Sequence, residues 1–327
     1  MIYLYFAVLI AAFVLLFRSA CLFVDGACGI ARILNISKMV IGIVLVGIAT
    51  TAPEFFVSVI SAFLGKPEFA LGNAVGSVIC DDGIALALAA LLAPVAILVN
   101  CRVLRVVGVF LLAIDILAFV LAKNGTIGRL EGGLFVLILA VYYIFFLGRK
   151  ELRFEKRSQG YTGAEKEREG ISSSDRSLLK RIILRFMLGL AGVVTTSYIV
   201  VFAARHIAEY FSLSETIIGL LVLAIGTSLP EISTCITAAM KGEGEIAVGN
   251  IIGADILNVL WIIGVSAIVN PITVELKVMN FSFPYMILIV LVMLVSMRIG
   301  CRLGKAKGLI LLILYALYVF LTLKLFT

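Results

Sequence analysis

The chain has 327 residues, of which 62% are apolar and only 14% charged, with a mean hydropathy of +1.18. A soluble core cannot hide that much apolar surface, so a water-soluble globular protein is excluded and a polytopic membrane protein is expected, its main partner the lipid bilayer. The net charge of +7 comes from loop lysines and arginines and calls for no nucleic acid; no obligate protein partner and no cofactor is evident.

Apolar runs of spanning length lie at 2–24, 39–63, 69–98, 103–122, 130–147, 183–204, 216–240, 246–269, 280–298 and 307–325. The first opens MIYLYFAVLI with no basic stretch before it, so it is expected to stay as a span rather than be cleaved. The ten runs divide into two sets of five, 1–147 and 183–327, around a charged Gly/Ser-containing segment at 148–182. That segment reads as a solvated linker, with a short amphipathic helix expected at 151–157 near anionic lipid. Twenty lysines and arginines fall on the linker's side of the membrane and six on the other, leaving out Arg18 inside the first run. The excess of positive charge places the linker in the cytoplasm and both termini outside.

The second and third runs reappear without a gap 177 residues later. Segment 42–83 contains GIATTAPEFFVSVISAFLGKPEFALGNAVGSVICDDG, and segment 219–260 contains AIGTSLPEISTCITAAMKGEGEIAVGNIIGADILNVL. Thr50, Pro53, Glu54, Gly72, Asn73 and Gly76 recur as Thr227, Pro230, Glu231, Gly249, Asn250 and Gly253. Five spans per copy force the second to enter the membrane from the opposite side, so the fold class is an all-α membrane bundle of two inverted repeats.

Each copy places a carboxylate beside a proline inside an apolar helix. A carboxylate in hydrocarbon costs several kcal/mol, so a duplicated one reads as a cation site at the repeat interface. Pro53 and Pro230 should break the second and seventh spans and free carbonyls around Gly47 to Thr50 and Ala224 to Thr227. Asn73, Ser77 and Asp81 share one face of the following helix; Asn250, Ala254 and Asn258 share its counterpart. Glu54 and Glu231 supply charge, and Thr50, Thr51, Thr227 and Ser228 supply hydroxyl and carbonyl oxygen, an inventory suited to a hard cation such as Ca2+. The alternative for the neutral residues is hydrogen bonding between helices. Gly72, Gly76, Gly249 and Gly253 have the spacing that lets helices pack closely around the broken ones.

The remaining polar residues fit no repeat. Asp115 has no counterpart in the second half and reads as a protonated or paired packing acid, with a proton relay or an ion pair with Arg18 as the alternative. His206 reads as a surface histidine. The six cysteines show no metal-ligand or redox spacing and read as small apolar residues.

GTSLPE followed by GN-x-x-G-x-x-I resembles the alpha repeats of the Na+/Ca2+ exchangers, in the cation/Ca2+ exchanger superfamily and of the prokaryotic ten-span type. The resemblance implies that Glu54 and Glu231 bridge the bound ions, with carbonyls of Thr50 and Thr227 helping to hold Ca2+. It implies that Thr51, Ser228 and Ser77, with carbonyls of Gly47 and Ala224, serve Na+, while Asp81 and Asn258 face each other at the centre. Alternating access would have the first and sixth spans slide over a core that holds the site.

Three departures bear on the ions. The family commonly puts the amide in the first repeat and the aspartate in the second, whereas here Asp81 comes first and Asn258 second. Ala254 stands where a serine is common, and Asp82 and Asp255 are additional acids in the motif. Asp255 lies about 100° around the helix from Ala254, so it is expected to face a neighbouring helix or a side cavity. H+-coupled or K+-dependent exchange of Ca2+ is therefore the alternative to Na+ coupling, with Asp82 or Asp255 as proton carriers. A channel and an intramembrane aspartyl protease are the rivals from other classes; the protease lacks its own signature and its acids sit in an exchanger motif.

Overall fold

The computed structural model describes residues 2–34, 37–65, 67–148, 176–210 and 224–326. The helices are α1 (Ile2–Leu34), α2 (Lys38–Thr50), α3 (Ala52–Phe63), α4 (Pro67–Leu92), α5 (Cys101–Ala122), α6 (Arg129–Gly148), α7 (Arg176–Tyr210), α8 (Ala224–Thr227), α9 (Leu229–Met240), α10 (Gly244–Val269), α11 (Val278–Cys301) and α12 (Lys305–Phe326). Helices α2 and α3 form one crossing bent by 45°; α8 and α9 form its counterpart. Among the described residues six helices are long and apolar enough to cross a membrane, and the bent α2–α3 pair makes a seventh. The amphipathic helix expected at 151–157 and the start of the seventh span lie outside the described residues.

The duplication holds residue for residue near the break. A shift of 177 carries α3 end for end onto α9, and the Pro67–Cys80 stretch of α4 onto the Gly244–Leu257 stretch of α10. It also carries a π-helical turn at Asp81–Leu86 onto one at Asn258–Ile263. Two further π turns, Gly42–Val46 and Val278–Ser282, lie in α2 and α11. Such turns interrupt the regular hydrogen-bond ladder and occur frequently at functional sites.

Four two-residue strands tie the halves together: β1 (Ile97–Leu98), β2 (Thr126–Ile127), β3 (Ile272–Thr273) and β4 (Arg302–Leu303). β1 pairs antiparallel with β4, and β2 with β3. The first ladder joins loops that follow the third and ninth spans, and the second joins loops that follow the fourth and eighth. The ladders therefore sit on opposite faces of the membrane, and each links one repeat to the other.

The first ladder carries a covalent bond as well, a disulfide between Cys101 and Cys301 with Cα atoms 5.5 Å apart. This corrects the reading of all six cysteines as plain apolar residues. Sequence spacing could not show the pair, since 200 residues separate them. Cys21, Cys80 and Cys235 are thiols, with Cys235 buried against Asn250 and the Ala247 carbonyl.

Helices α1 and α7 are longer than their apolar runs, at 33 and 35 residues. At 1.5 Å per residue each is about 50 Å long against a hydrocarbon core of about 30 Å, so they tilt or protrude. They pack along each other through small residues. A Cβ on Gly26 would stand 2.6 Å from the Phe186 backbone, and Gly189 and Gly192 meet Phe23 and Ser19 as closely. Arg18 is exposed on α1 whereas Asp115 is buried on α5, so the ion pair weighed between them does not form. His206 is half-buried, stacked on Tyr5 at 4.7 Å and bonded to the Phe202 carbonyl at 2.8 Å.

Small-residue packing around the break is present where α2 crosses α10. A Cβ on Gly42 would lie 2.7 Å from the Ile246 carbonyl oxygen; Gly249 and Gly253 press on the carbonyls of Met39 and Ile43. Gly72 and Gly76 meet no described atom within 4 Å. Gly253→Ala is expected to cost about 1–3 kcal/mol through overpacking against rigid backbone, whereas Gly72→Ala should be better tolerated. Thermal unfolding of the two purified variants checks this, and equal midpoints would show that α2 and α10 can part without cost.

Candidate ion site

Pro53 and Pro230 stand in the first turns of α3 and α9. A proline there needs no donor of its own and starts a helix readily. It also cannot bond to the carbonyl four residues back, so Ala49 and Gly226 lose their helical donors. The Gly47 carbonyl is not freed, contrary to expectation: it accepts the Thr51 N–H at 3.0 Å and the Thr50 hydroxyl at 3.4 Å. The chain bends at Thr51, between the helical stretches Gly47–Thr50 and Ala52–Phe63. Ala224 opens α8, with residues 211–223 before it outside the described set.

The bend turns Glu54 and Glu231 toward the middle of the bundle, each 1% exposed. They lie close enough to interact electrostatically with each other, and Asp81 interacts with both. Thr51 donates its hydroxyl to Glu231 Oε1 at 3.2 Å. Ser228, its counterpart, sits beside Asp81. Ser77 and Asn258 are buried on α4 and α10. Thr50, Thr51, Glu54, Asp81, Ser228 and Glu231 are thus brought together from both repeats.

Seven buried oxygens around this point accept or donate no hydrogen bond: both of Glu54, Glu231 Oε2, Asp81 Oδ1, Ser77 Oγ, Ser228 Oγ and Asn258 Oδ1. Buried polar atoms are ordinarily satisfied, so a cluster of exceptions needs a ligand to account for it. Ca2+ takes six to eight oxygens. Among the described residues no three acidic, histidine or cysteine side chains converge as metal ligands do. A cation here must therefore draw on hydroxyl, amide and carbonyl oxygens beside the carboxylates.

Two residues with a larger part than the sequence suggested are Asn73 and Asn250. Thr50 donates to Asn250 Oδ1 at 3.1 Å and Thr227 to Asn73 Oδ1 at 3.2 Å, a symmetric pair of bonds that each cross between repeats. Asn73 Nδ2 also reaches Ser58 Oγ and the Glu54 carbonyl. The asparagines hold the broken helices in place, and their recurrence in both copies was the signal.

Asp82 and Asp255 fall elsewhere. Both are fully buried, and they face each other across the repeat interface rather than the glutamates. They adjoin the ion site only through Asp81.

Inverted five-helix repeats, each with a proline-broken helix presenting a buried carboxylate at the interface, define a secondary cation transporter. The chain belongs to the sodium/calcium exchanger protein family, whose model matches residues 4–148 and 181–324. It is a membrane-embedded cation exchanger and not an enzyme. Similar chains include CaxA, a named antiporter candidate of Alkalimonas amylolytica, at 32% identity over 94% of this chain and 95% of that one. The inner membrane protein YrbG of Escherichia coli is 31% identical over 93% and 92%. The sodium/calcium exchanger MaX1 of Methanosarcina acetivorans is 30% identical over 96% and 97%. The fold matches the sodium-calcium exchanger NCX_Mj soaked with Na+ and Sr2+, with a TM-score of 0.82, 24% identity and coverage of 98% of both chains.

Proposed function

We propose that the protein exchanges Ca2+ for Na+ across the cell membrane by alternating access, both ions competing for Glu54 and Glu231. The observation that carries the proposal is the group of seven orphaned oxygens around two glutamates and Asp81. Two or three carboxylates can neutralise one Ca2+ or several monovalent ions but not both at once, so occupancy by one expels the other. Thr50, Thr51, Thr227, Ser228, Ser77 and Asn258, with backbone carbonyls of the broken helices, complete the coordination. Their lesser charge density suits exchange rather than permanent binding. The long α1/α7 pair carries none of these groups and packs through glycines, which supports sliding of that pair over a core held by the two ladders. The positive-inside bias supports a cytoplasmic linker with both termini outside.

Uptake of radioactive Ca2+ into proteoliposomes under imposed Na+, K+ or H+ gradients tests this. Uptake driven by outward Na+ supports it; uptake driven only by H+ or K+ would move the assignment to that ion, and flux without a counter-ion would indicate a channel.

The buried Ala254 removes one hydroxyl from the place its helix offers to Na+. Ala254→Ser is therefore expected to lower the Na+ concentration for half-maximal Ca2+ release several-fold, on the order of the 1 kcal/mol one added oxygen contact supplies. A Na+ dependence already steep in the native protein and unmoved by the substitution would make Ala254 a neutral variant.

A further inference from the structure

On the linker's face the chain turns between α9 and α10 at Gly242, whose φ of +74° is a left-handed conformation that glycine takes at no steric cost. The turn sets two opposite charges side by side. Glu243 pairs with Lys38 at the start of α2, a helix of the core that holds the ion site. Lys241 reaches α1 instead: its Nζ donates to Asp25 Oδ1 at 2.7 Å and to the Cys21 carbonyl at 3.0 Å. The two side chains are 30% and 49% exposed, so the contact lies at the water-facing rim and not in hydrocarbon. Helix α1 belongs to the pair that carries no group of the site, whereas Lys241 belongs to the core. Their contact therefore spans the boundary along which the two would slide.

The other repeat has no such tie. The 177-residue shift takes Gly242 back to Gly65, which turns α3 into α4 with a φ of +80°. It takes Lys241 to Leu64 and Asp25 to Phe202. Leu64 is exposed, and the Phe202 ring lies against Tyr5 and His206 inside the α1/α7 pair. By contrast, Lys38 and Glu243 shift to Glu215 and Lys66, which lie outside the described residues but keep opposite charges with the signs exchanged. The repeats thus share the charge pattern that joins the hairpin to the broken helix and differ in the one that joins it to the sliding pair. An ion pair at one face alone makes the two end positions of that pair unequal.

We propose that Lys241 and Asp25 are positioning residues for exchange, forming a latch that holds α1 on the α9–α10 hairpin in one position of the α1/α7 pair and parts when the pair slides. The inference rests on reading that pair as the moving element. An ion pair at a partly exposed site shifts an equilibrium by up to about fivefold, so the latch weights one position without locking it. A much stronger tie would trap one position and stop the cycle. The apparent affinity of a cation reaching the site from either side scales with the fraction of protein open to that side. The latch therefore gives Ca2+ unequal apparent affinities at the two faces.

Pulsed electron-spin distance measurements on the full-length protein in lipid test it, with spin labels carried on keto-bearing residues at Val14 of α1 and Met240 of α9. Both places are exposed, and such labels spare the native thiols. Two distances are expected, one for each position of α1. Lys241→Gln and Asp25→Asn should each lower the ratio of latched to unlatched protein by about twofold to fivefold, and the double variant by no more than either. Choline chloride at about 1 M should do the same to the native protein through screening and nothing further to Asp25→Asn. The exchanged pair, Asp25→Lys with Lys241→Asp, should restore most of the native ratio. Ca2+ exchange in proteoliposomes of one orientation supplies the second readout: the ratio of half-saturating Ca2+ at the two faces should change by the same factor. A merely structural contact would alter the yield of folded protein and leave both ratios in place. Populations unmoved by both single changes, or single effects that add in the double variant, overturn the latch. One distance that neither variants nor salt alter would show α1 fixed to the core and overturn the latch together with the sliding reading. If the distances respond as expected while no Ca2+ is exchanged, the latch stands and the reading of the cargo fails.

Discussion

Glu54→Gln and Glu231→Gln are each expected to reduce Ca2+ exchange on the order of a hundredfold or more while the ten-span protein still folds, because carboxylate count tunes Ca2+ affinity over several decades. The two need not fail alike. Glu231 Oε1 accepts a hydrogen bond from Thr51, whereas neither oxygen of Glu54 has a partner. Glutamine at 231 can keep the Thr51 contact through its carbonyl, while its N–H2 takes the place of the unpartnered Oε2. At 54 neither oxygen has a partner, so the amide there would have both its carbonyl and its N–H2 unpaired. Both variants should therefore be inactive, with Glu54→Gln the less stable. Radioactive Ca2+ exchange and thermal unfolding of the purified variants measure the two effects. Near-native flux in either would remove the shared carboxylates from the mechanism.

Exchanging the central pair should rescue what its single change destroys. Asp81 interacts with both glutamates, so Asp81→Asn alone should slow exchange by one to two orders of magnitude. Asn258 is buried with its amide unpartnered at the position equivalent to Asp81. The double change Asp81→Asn with Asn258→Asp restores the charge across the pseudo-two-fold axis, and coupling between neighbouring sites runs to about 0.5–3 kcal/mol. A recovery of about tenfold over the single variant is expected in Ca2+ flux. The residue beside position 258 is Val259 where Asp81 has Asp82, so the moved carboxylate also loses an acidic neighbour. A double variant no better than the single one would show that Asp81 acts through that neighbour rather than through its charge at the site.

What could be read in advance follows the physical range of each signal. The helical membrane class and the repeat were legible because hydropathy and duplication are properties of contiguous residues: α3 and α9, or Pro67–Cys80 and Gly244–Leu257, match end for end. Glu54 and Glu231 stood out because a charge in hydrocarbon is conspicuous without any knowledge of its surroundings. The hydroxyls were harder, since Thr51 reaches a glutamate while Thr227 bonds Asn73, and sequence alone does not separate the two roles. Asp115 looked unrelated to the repeats because its relation to Asp82 and Asp255 exists only across packed helices. The Gly47 carbonyl was misread for a local reason. A proline deprives the residue four before it, here Ala49, and the hydrogen bond from Thr51 keeps Gly47 within the helix.

The Cys101–Cys301 bond changes what counts as one molecule. It joins the two halves at a point remote from the linker, so the chain from 101 to 301 is a closed ring with two tails, and the linker is one arc of that ring. A single peptide cut between 149 and 175 opens the ring without separating its parts. That covalent topology depends on compartment, because the bond lies on the linker's face of the membrane. In a reducing cytoplasm the cysteines are thiols and the chain is linear; in an oxidising medium it is a lasso.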